Sequence, residues 1–165
     1  MRIITPAIIG LALILPVVHQ EPTVIDTAQL KGLIEGLGYD VRQIATNPEP
    51  GREKYEFKIT KDDLNVPIGA EVSPSKRYVW LTVFLGPPPT DMTKHTEMLK
   101  RNGKIQPCFF YITEKGNLMI GLPVENRQVS SAVMRRTVDL IVDSVVDTKS
   151  VWQNGSAEQA TRFGL

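Results

Sequence analysis

Two histidines, one cysteine and a stripe of acids are the side chains from which chemistry could be built in this chain. His19 ends an apolar N-terminal run and His95 sits in a short helical pattern, so no second imidazole joins His95. A zinc site needs several nitrogen, sulfur or oxygen ligands converging on one point, and Cys108 is the only thiol. No metal site of that type is expected. The lone cysteine also excludes an intramolecular disulfide. Its surroundings, "QPCFFYIT", read as a strand, where a single thiol serves as a small buried hydrophobe. The G-x-S-x-G turn of serine hydrolases is missing, and no histidine is placed to activate Cys108.

The acids form a more regular pattern. Arg135, Asp139, Asp143 and Asp147 are spaced by four, which makes one stripe along a helix. Successive positions on that stripe climb the helix axis by about 6 Å each, so they cannot close on one ion. A solvated edge is expected, with an Arg135–Asp139 pair at its start. "KDDLN" at 61–65 has two adjacent carboxylates and lacks the glycine of a calcium loop; it reads as a turn. The three glycines of "GLIEGLG" lie inside a helical pattern, where the backbone amides are already used, and do not make a phosphate cradle. "NGS" at 154–156 matches a glycosylation acceptor. No catalytic residue, cofactor or metal ligand is expected from any of these spacings.

The elements that carry these residues are easier to read. "IDTAQLKGLIEGLG" has Asp26 as N-cap, Gln29 completing a capping box, and Ile25 and Leu30 as a staple. Leu30, Leu33, Ile34 and Leu37 recur at helical spacing, and Gly38 supplies a left-handed stop. Gly32 and Gly36, each unfavourable in a helix, suggest close approach to another backbone. A weak strand is predicted over 41–46 and clearer ones over 54–60 and 66–72, with Pro67 and Gly69 suggesting an edge or a bulge. A short helix from Asp91 should turn Met92, Met98 and Leu99 inward. "PCFFYIT" and "NLMIGLP" should form a hairpin around "EKG". The last helix starts at Ser130 and points Met134, Val138, Ile141, Val142 and Val145 at the core.

One strand is apolar on both registers. "KRYVWLTVFLG" at 76–86 places Val79, Leu81, Val83 and Leu85 on one face and Tyr78, Trp80 and Phe84 on the other. A strand on one core needs only one apolar face. The second face, Tyr78, Trp80 and Phe84, is the candidate partner-binding surface.

Bulk composition narrows the partners. The 165 residues carry 19 basic and 18 acidic side chains, a net charge of +1. A nucleic-acid binder would carry a basic excess, so none is expected. The N-terminus has Arg2 and then an uninterrupted apolar run from Ala7 to Val18. That layout predicts a signal peptide or membrane anchor over 1–20, hence an exported protein, periplasmic or extracellular, or one tethered by an uncleaved segment. The run is too short to span a bilayer as a helix. Residues 24–152 form the domain, and 153–165, small and polar, should be a disordered tail. The order of elements predicts an α+β fold. Its antiparallel sheet of five or six strands carries helices on one face, in the order helix, three or four strands, helix, two strands, helix.

Over about residues 24–152 the chain resembles the type III secretion chaperone-like superfamily, which includes Tir-chaperone and YbjN-like proteins. The resemblance rests on the first helix ending in "GLGYDV", on "RYVWLTVFL", on "MLKRNGKIQPCFFYI", and on "GNLMIGLPVEN" leading into the final helix. It implies a protein that works by binding, often as a dimer, without catalytic residues. Secretion chaperones of this type are acidic and cytosolic, whereas this chain is neutral and has an export-type N-terminus. The expected function is a non-enzymatic protein-binding module, chaperone-like or regulatory, acting outside the cytoplasm or at the membrane, with a protein or peptide segment as partner and a possible homodimer. Two alternatives stay open. An envelope carrier of a lipid or small hydrophobic ligand would have an enclosed apolar pocket. An enzyme with unmarked carboxylate chemistry would have a polar cleft with converging acids or arginines.

Overall fold

The capping box at Asp26 forms as its sequence requires. The Asp26 carboxylate accepts the Gln29 N–H at 2.8 Å, and the Gln29 side chain accepts the Asp26 N–H at 2.9 Å. The helix it starts, α1 (Thr27–Glu35), stops at Gly36, and Gly38 takes the left-handed conformation, φ 90°, in the turn beyond. The computed structural model describes residues 23–44, 48–153 and 161–164; the segment expected to be a signal or anchor, 1–20, lies outside them. The close backbone approach expected at Gly32 and Gly36 is not found. A Cβ at Gly32 would meet nothing within 4 Å, and one at Gly36 would meet only carbonyls of its own helix. The helix seats itself through Leu30 and Ile34 instead, both fully buried.

Six antiparallel strands follow: β1 (Arg42–Gln43), β2 (Lys54–Lys61), β3 (Leu64–Val72), β4 (Tyr78–Gly86), β5 (Phe109–Ile112) and β6 (Leu118–Glu125). Their spatial order is β1-β2-β3-β4-β6-β5. The weak strand expected over 41–46 is only two residues long, and 45–47 lie outside the described residues. Asp62 and Asp63, with φ of 48° and 63°, close β2 onto β3 as a two-residue hairpin pairing Lys61 with Leu64. Two positive φ values in such a loop match the twist of the flanking strands.

Gly69 is not at a bulge, contrary to expectation, whereas Pro67 stands where the β4-facing side of β3 is unpaired, a local edge. Strand β3 is interior, paired to β2 along its whole length. Its ladder to β4 spans only Gly69 to Val72, so Pro67 lies beyond the stretch where β4 would need its missing N–H. At Gly69 a Cβ would stand 2.9 Å from the Thr82 hydroxyl, so a neighbouring strand and not a bulge explains the glycine.

The helices α1, α2 (Met92–Asn102), α3 (Ser131–Asp147) and α4 (Lys149–Trp152) all contribute to one core on one face of the sheet. Ser130 caps α3 by accepting the Val133 N–H, and the five predicted apolar residues of α3 are all buried. In α2 only Met98 is buried; Met92 and Leu99, also expected inward, are 71% and 73% exposed. The helix packs against β5 and α4, and neither covers Met92 or Leu99. Among the described residues no helix is long and apolar enough to cross a membrane.

The expectation of a disordered tail fails at residues 161–164. They form a helical turn, and Phe163 is fully buried with its ring 5.0 Å from that of Trp152. A phenylalanine gains about 2 kcal/mol or more from such burial, which favours the seated segment.

Candidate functional site

Strand β4 divides its side chains as the alternation predicts. Val79, Leu81, Val83 and Leu85 are fully buried against the helices. Tyr78, Trp80, Thr82 and Phe84 stand on the opposite face, with Tyr78 43% exposed and the other three half-buried. Strand pairing extends this face. Pro123 of β6 lies opposite Trp80, Gly121 opposite Thr82 and Met119 opposite Phe84. Beyond them β5 sets Phe109 opposite Gly121 and Tyr111 opposite Met119.

The rings form a continuous chain. Tyr78 and Trp80 are 6.5 Å apart between centroids, Trp80 and Phe109 are 6.1 Å apart and nearly perpendicular, and Phe109 and Tyr111 are 5.7 Å apart. These are the separations at which aromatic pairs attract. Gly121 lies beneath them: a Cβ there would be 3.0 Å from Tyr111 and 3.7 Å from both Phe109 and Trp80. The rings therefore lie down on bare backbone. A shallow groove of about 380 Å³ runs beside them, with Glu71 and Pro74 on one side and Trp80, Phe109 and Tyr111 on the other. A wider one of about 740 Å³ continues past Tyr111, Phe84 and Met119. Both are lined by strand and turn residues alone. Burial pushes the Tyr111 hydroxyl up from its ordinary value, with the Glu71 carboxylate adding to the shift. Tyr111 is thus a neutral hydrogen-bonding group near neutral pH.

Of the three residues singled out from sequence, Tyr78 and Trp80 join this chain and Phe84 stands apart. The Arg162 guanidinium sits over the Phe84 ring, 4.8 Å from its centroid. Arg162 also reaches Glu56 at 3.7 Å, and Glu56, almost fully buried, is held by Arg42 at 2.6 Å. This cluster is the place where an acid and arginines converge, and its carboxylate is committed to ion pairs. It ties the end of the described chain to the far side of the sheet.

The residues first considered for chemistry are dispersed. Cys108 is buried, its thiol facing the Leu140 carbonyl at 3.8 Å, and burial pushes it up from the usual thiol value. His95 holds the Pro89 carbonyl through Nε2 at 2.5 Å. On α3 the expected Arg135–Asp139 pair is replaced by longer-range contacts. Arg135 donates to the Leu37 carbonyl at 3.2 Å, and Asp143 pairs with Lys61 at 2.5 Å. The helix edge faces α1 and the end of β2, which offer better partners than the helix itself. Among the described residues no three His, Cys, Asp or Glu side chains gather as a metal set.

Sequence reasoning missed Phe109, Tyr111 and Met119. The signal was present: "FFYI" alternates in the same two-faced way as β4. What it lacked was the crossing of β6 between β4 and β5 that makes the two aromatic faces one.

No protein family matches the chain by sequence, and no curated protein does. Solved structures do match. One is a chain of the heterodimeric ExoU–SpcU complex from the type III secretion system of Pseudomonas aeruginosa. It gives a TM-score of 0.52 at 10% identity and covers 74% of this chain and 96% of that one. Another is a chain of the HopA1–SchA chaperone–effector complex, with a TM-score of 0.50 at 11% identity, covering 74% and 91%. The chain shares the fold of these two chains. At these identities the likeness is one of architecture, and the α+β arrangement of six antiparallel strands with helices accords with it.

Proposed function

We propose that this protein is a non-enzymatic module that binds an apolar segment of another protein across the Tyr78–Trp80–Phe109–Tyr111 face. The observation that carries this reading is the run of four touching rings on a sheet face that the helical turn at 161–164 reaches only beside them, at Phe84 and Glu56. Large amphipathic rings at such a surface are the usual anchors of protein recognition, each worth about 2 kcal/mol or more when fully covered. The solved complexes of similar fold, described as a heterodimer and as a chaperone with its effector, agree with a protein partner.

Face binding is favoured over strand addition at the sheet edge. The outer side of β5 is occupied at Phe110, where the Asn102 side chain holds both backbone groups. Selection of a displayed library of random peptides on the immobilised protein tests the reading. Recovered apolar peptides should bind at least about tenfold more weakly to Trp80→Ala and Phe109→Ala variants. Equal binding to the folded variants would refute it.

For the oligomeric state we place a second copy at the other apolar surface, where Met92 and Leu99 of α2 stand exposed. A groove of about 310 Å³ lies there, lined by His95, Met98, Leu99, Phe110, Ile112 and Leu118 among others. Leu99→Asp should convert a dimer to a monomer in light scattering. The apolar N-terminus supports a site of action outside the cytoplasm or at the membrane, to be tested by fractionation of the native cell. Kinship with YbjN-like proteins is proposed as part of the same reading.

A further inference from the structure

Strands β3 and β4 pair only where Gly69 to Val72 face Val79 to Thr82. Past that ladder β3 runs on to Leu64, paired with β2, and β4 runs on to Gly86, paired with β6, so the two strands part. Residues 161–164 lie at this opening. Arg162 sits over the Phe84 ring of β4, and a Cβ on Gly164 would stand 3.9 Å from Asn65 of β3. Phe163, between them, is fully buried.

The two side chains enter two receptors, and each receptor is fixed by bonds made elsewhere in the fold. The cation meets Glu56 and Phe84. Glu56 is almost fully buried; its Oε1 accepts two N–H groups of Arg42, at 2.6 and 3.2 Å, while Oε2 faces Arg162 at 3.7 Å. Phe84 is set by its place opposite Met119 in β6. The Phe163 ring meets Trp152, whose indole N–H donates to the Val145 carbonyl at 2.9 Å. No residue of 161–164 belongs to a strand of the sheet. Groups already oriented lose little further freedom when a ligand arrives. Their chemistry is selective as well. A flat guanidinium stacks on Phe84 while aiming N–H groups at Glu56, which the point charge of a lysine does not do. The Trp152 ring favours an aromatic neighbour.

We propose that the opening between β3 and β4 is a binding site for an arginine–phenylalanine pair, filled by Arg162 and Phe163 of the same chain and taking the same pair from another protein in exchange. The site is separate from the Tyr78–Trp80–Phe109–Tyr111 surface and stands whether or not that surface has a partner. An external pair binds only the fraction of molecules in which the internal pair has left, and its apparent affinity falls in proportion. Residues 161–164 are thus a built-in competitor. Weakening their hold raises the affinity for the outside segment without any change in the site.

The probe is the end-capped tetrapeptide Thr-Arg-Phe-Gly, and the readout is the indole N–H resonance of Trp152 in the isotope-labelled full chain. The chain with Arg162→Ala and Phe163→Ala together has both receptors vacated. There the peptide should shift the Trp152 signal saturably, back toward its wild-type position. Peptides with glutamate for arginine or alanine for phenylalanine should bind at least about tenfold more weakly. The wild-type chain should also bind the first peptide at least about tenfold more weakly than the vacated chain. Absence of a saturable shift below about 10 mM in the folded, vacated chain overturns the site. Equal affinity in both chains overturns the competition, and a shift confined to the Trp80 signal places the peptide on the other surface and overturns the proposal as well. If the double substitution abolishes the native circular dichroism spectrum, Arg162→Glu alone keeps the buried ring and sets a carboxylate against Glu56. The peptide should then bind this variant more tightly than wild type, and an unchanged affinity overturns the proposal.

Discussion

Asn102, the last residue of α2, is bonded twice to Phe110 in β5: its Oδ1 accepts the Phe110 N–H at 2.7 Å and its Nδ2 donates to the Phe110 carbonyl at 3.3 Å. A side-chain amide thus stands where the next strand of the sheet would be. Exposed edge strands invite pairing with other chains, and covering them is a recurrent protection. Asn102→Ala should cost about 1–2 kcal/mol in urea denaturation, from two lost hydrogen bonds. It should also raise concentration-dependent mass in light scattering. Loss of stability with no added association would mean that Asn102 only fastens the helix.

Gly121 is required because three rings rest on it. A Cβ would sit 3.0 Å from Tyr111 Cε1. Gly121→Val should displace Tyr111, weaken the near-ultraviolet circular dichroism of the ring chain and reduce displayed-peptide binding about tenfold. The far-ultraviolet spectrum should hold, since the strand backbone tolerates valine.

Phe163 belongs to the folded core. Phe163→Ala should lower stability by about 3 kcal/mol, as large-to-small changes at fully buried aromatic sites do. A variant indistinguishable from wild type in thermal unfolding would show that residues 161–164 are not seated against Trp152.

Cys108 gives a pH-dependent readout. Burial raises its folded value above the unfolded one, with the Ser144 contact opposing. The fold therefore favours the neutral thiol. Its contribution to stability is fully present below the unfolded value and is lost as pH rises through the folded value. A thiol reagent at pH 8 should react about a hundredfold more slowly with the native chain than with the chain in urea. Stability should decline on the alkaline side. Similar rates in both states would contradict the burial.

Gly32 is exposed, and a Cβ there would meet nothing within 4 Å. Gly32→Ala should stabilise the protein by about 1 kcal/mol through helix propensity alone, read as a shift in urea midpoint. Destabilisation would reveal a neighbour at that helix face, such as a second molecule.

Local rules carried the elements. The capping box at Asp26, the alternation in β2 and β4, the buried row of α3 and the β5–β6 hairpin follow from residues a few positions apart, and each is where its pattern placed it. The two-faced character of β4 was legible for the same reason. Relations between distant residues were not. Gly69 looked like a bulge residue because a propensity cannot know that the Thr82 hydroxyl of the next strand stands over it. Leu99 looked buried because helical periodicity fixes an angle around the axis but not the width of the surface that meets it. Phe163 looked loose because one aromatic in a polar tail has no local signal, and only the pocket beside Trp152 gives it a place. The aromatic face itself depended on β6 inserting between β4 and β5. That order is set by long-range packing, which brings Phe109 and Tyr111 beside Trp80 from more than twenty-five residues away along the chain.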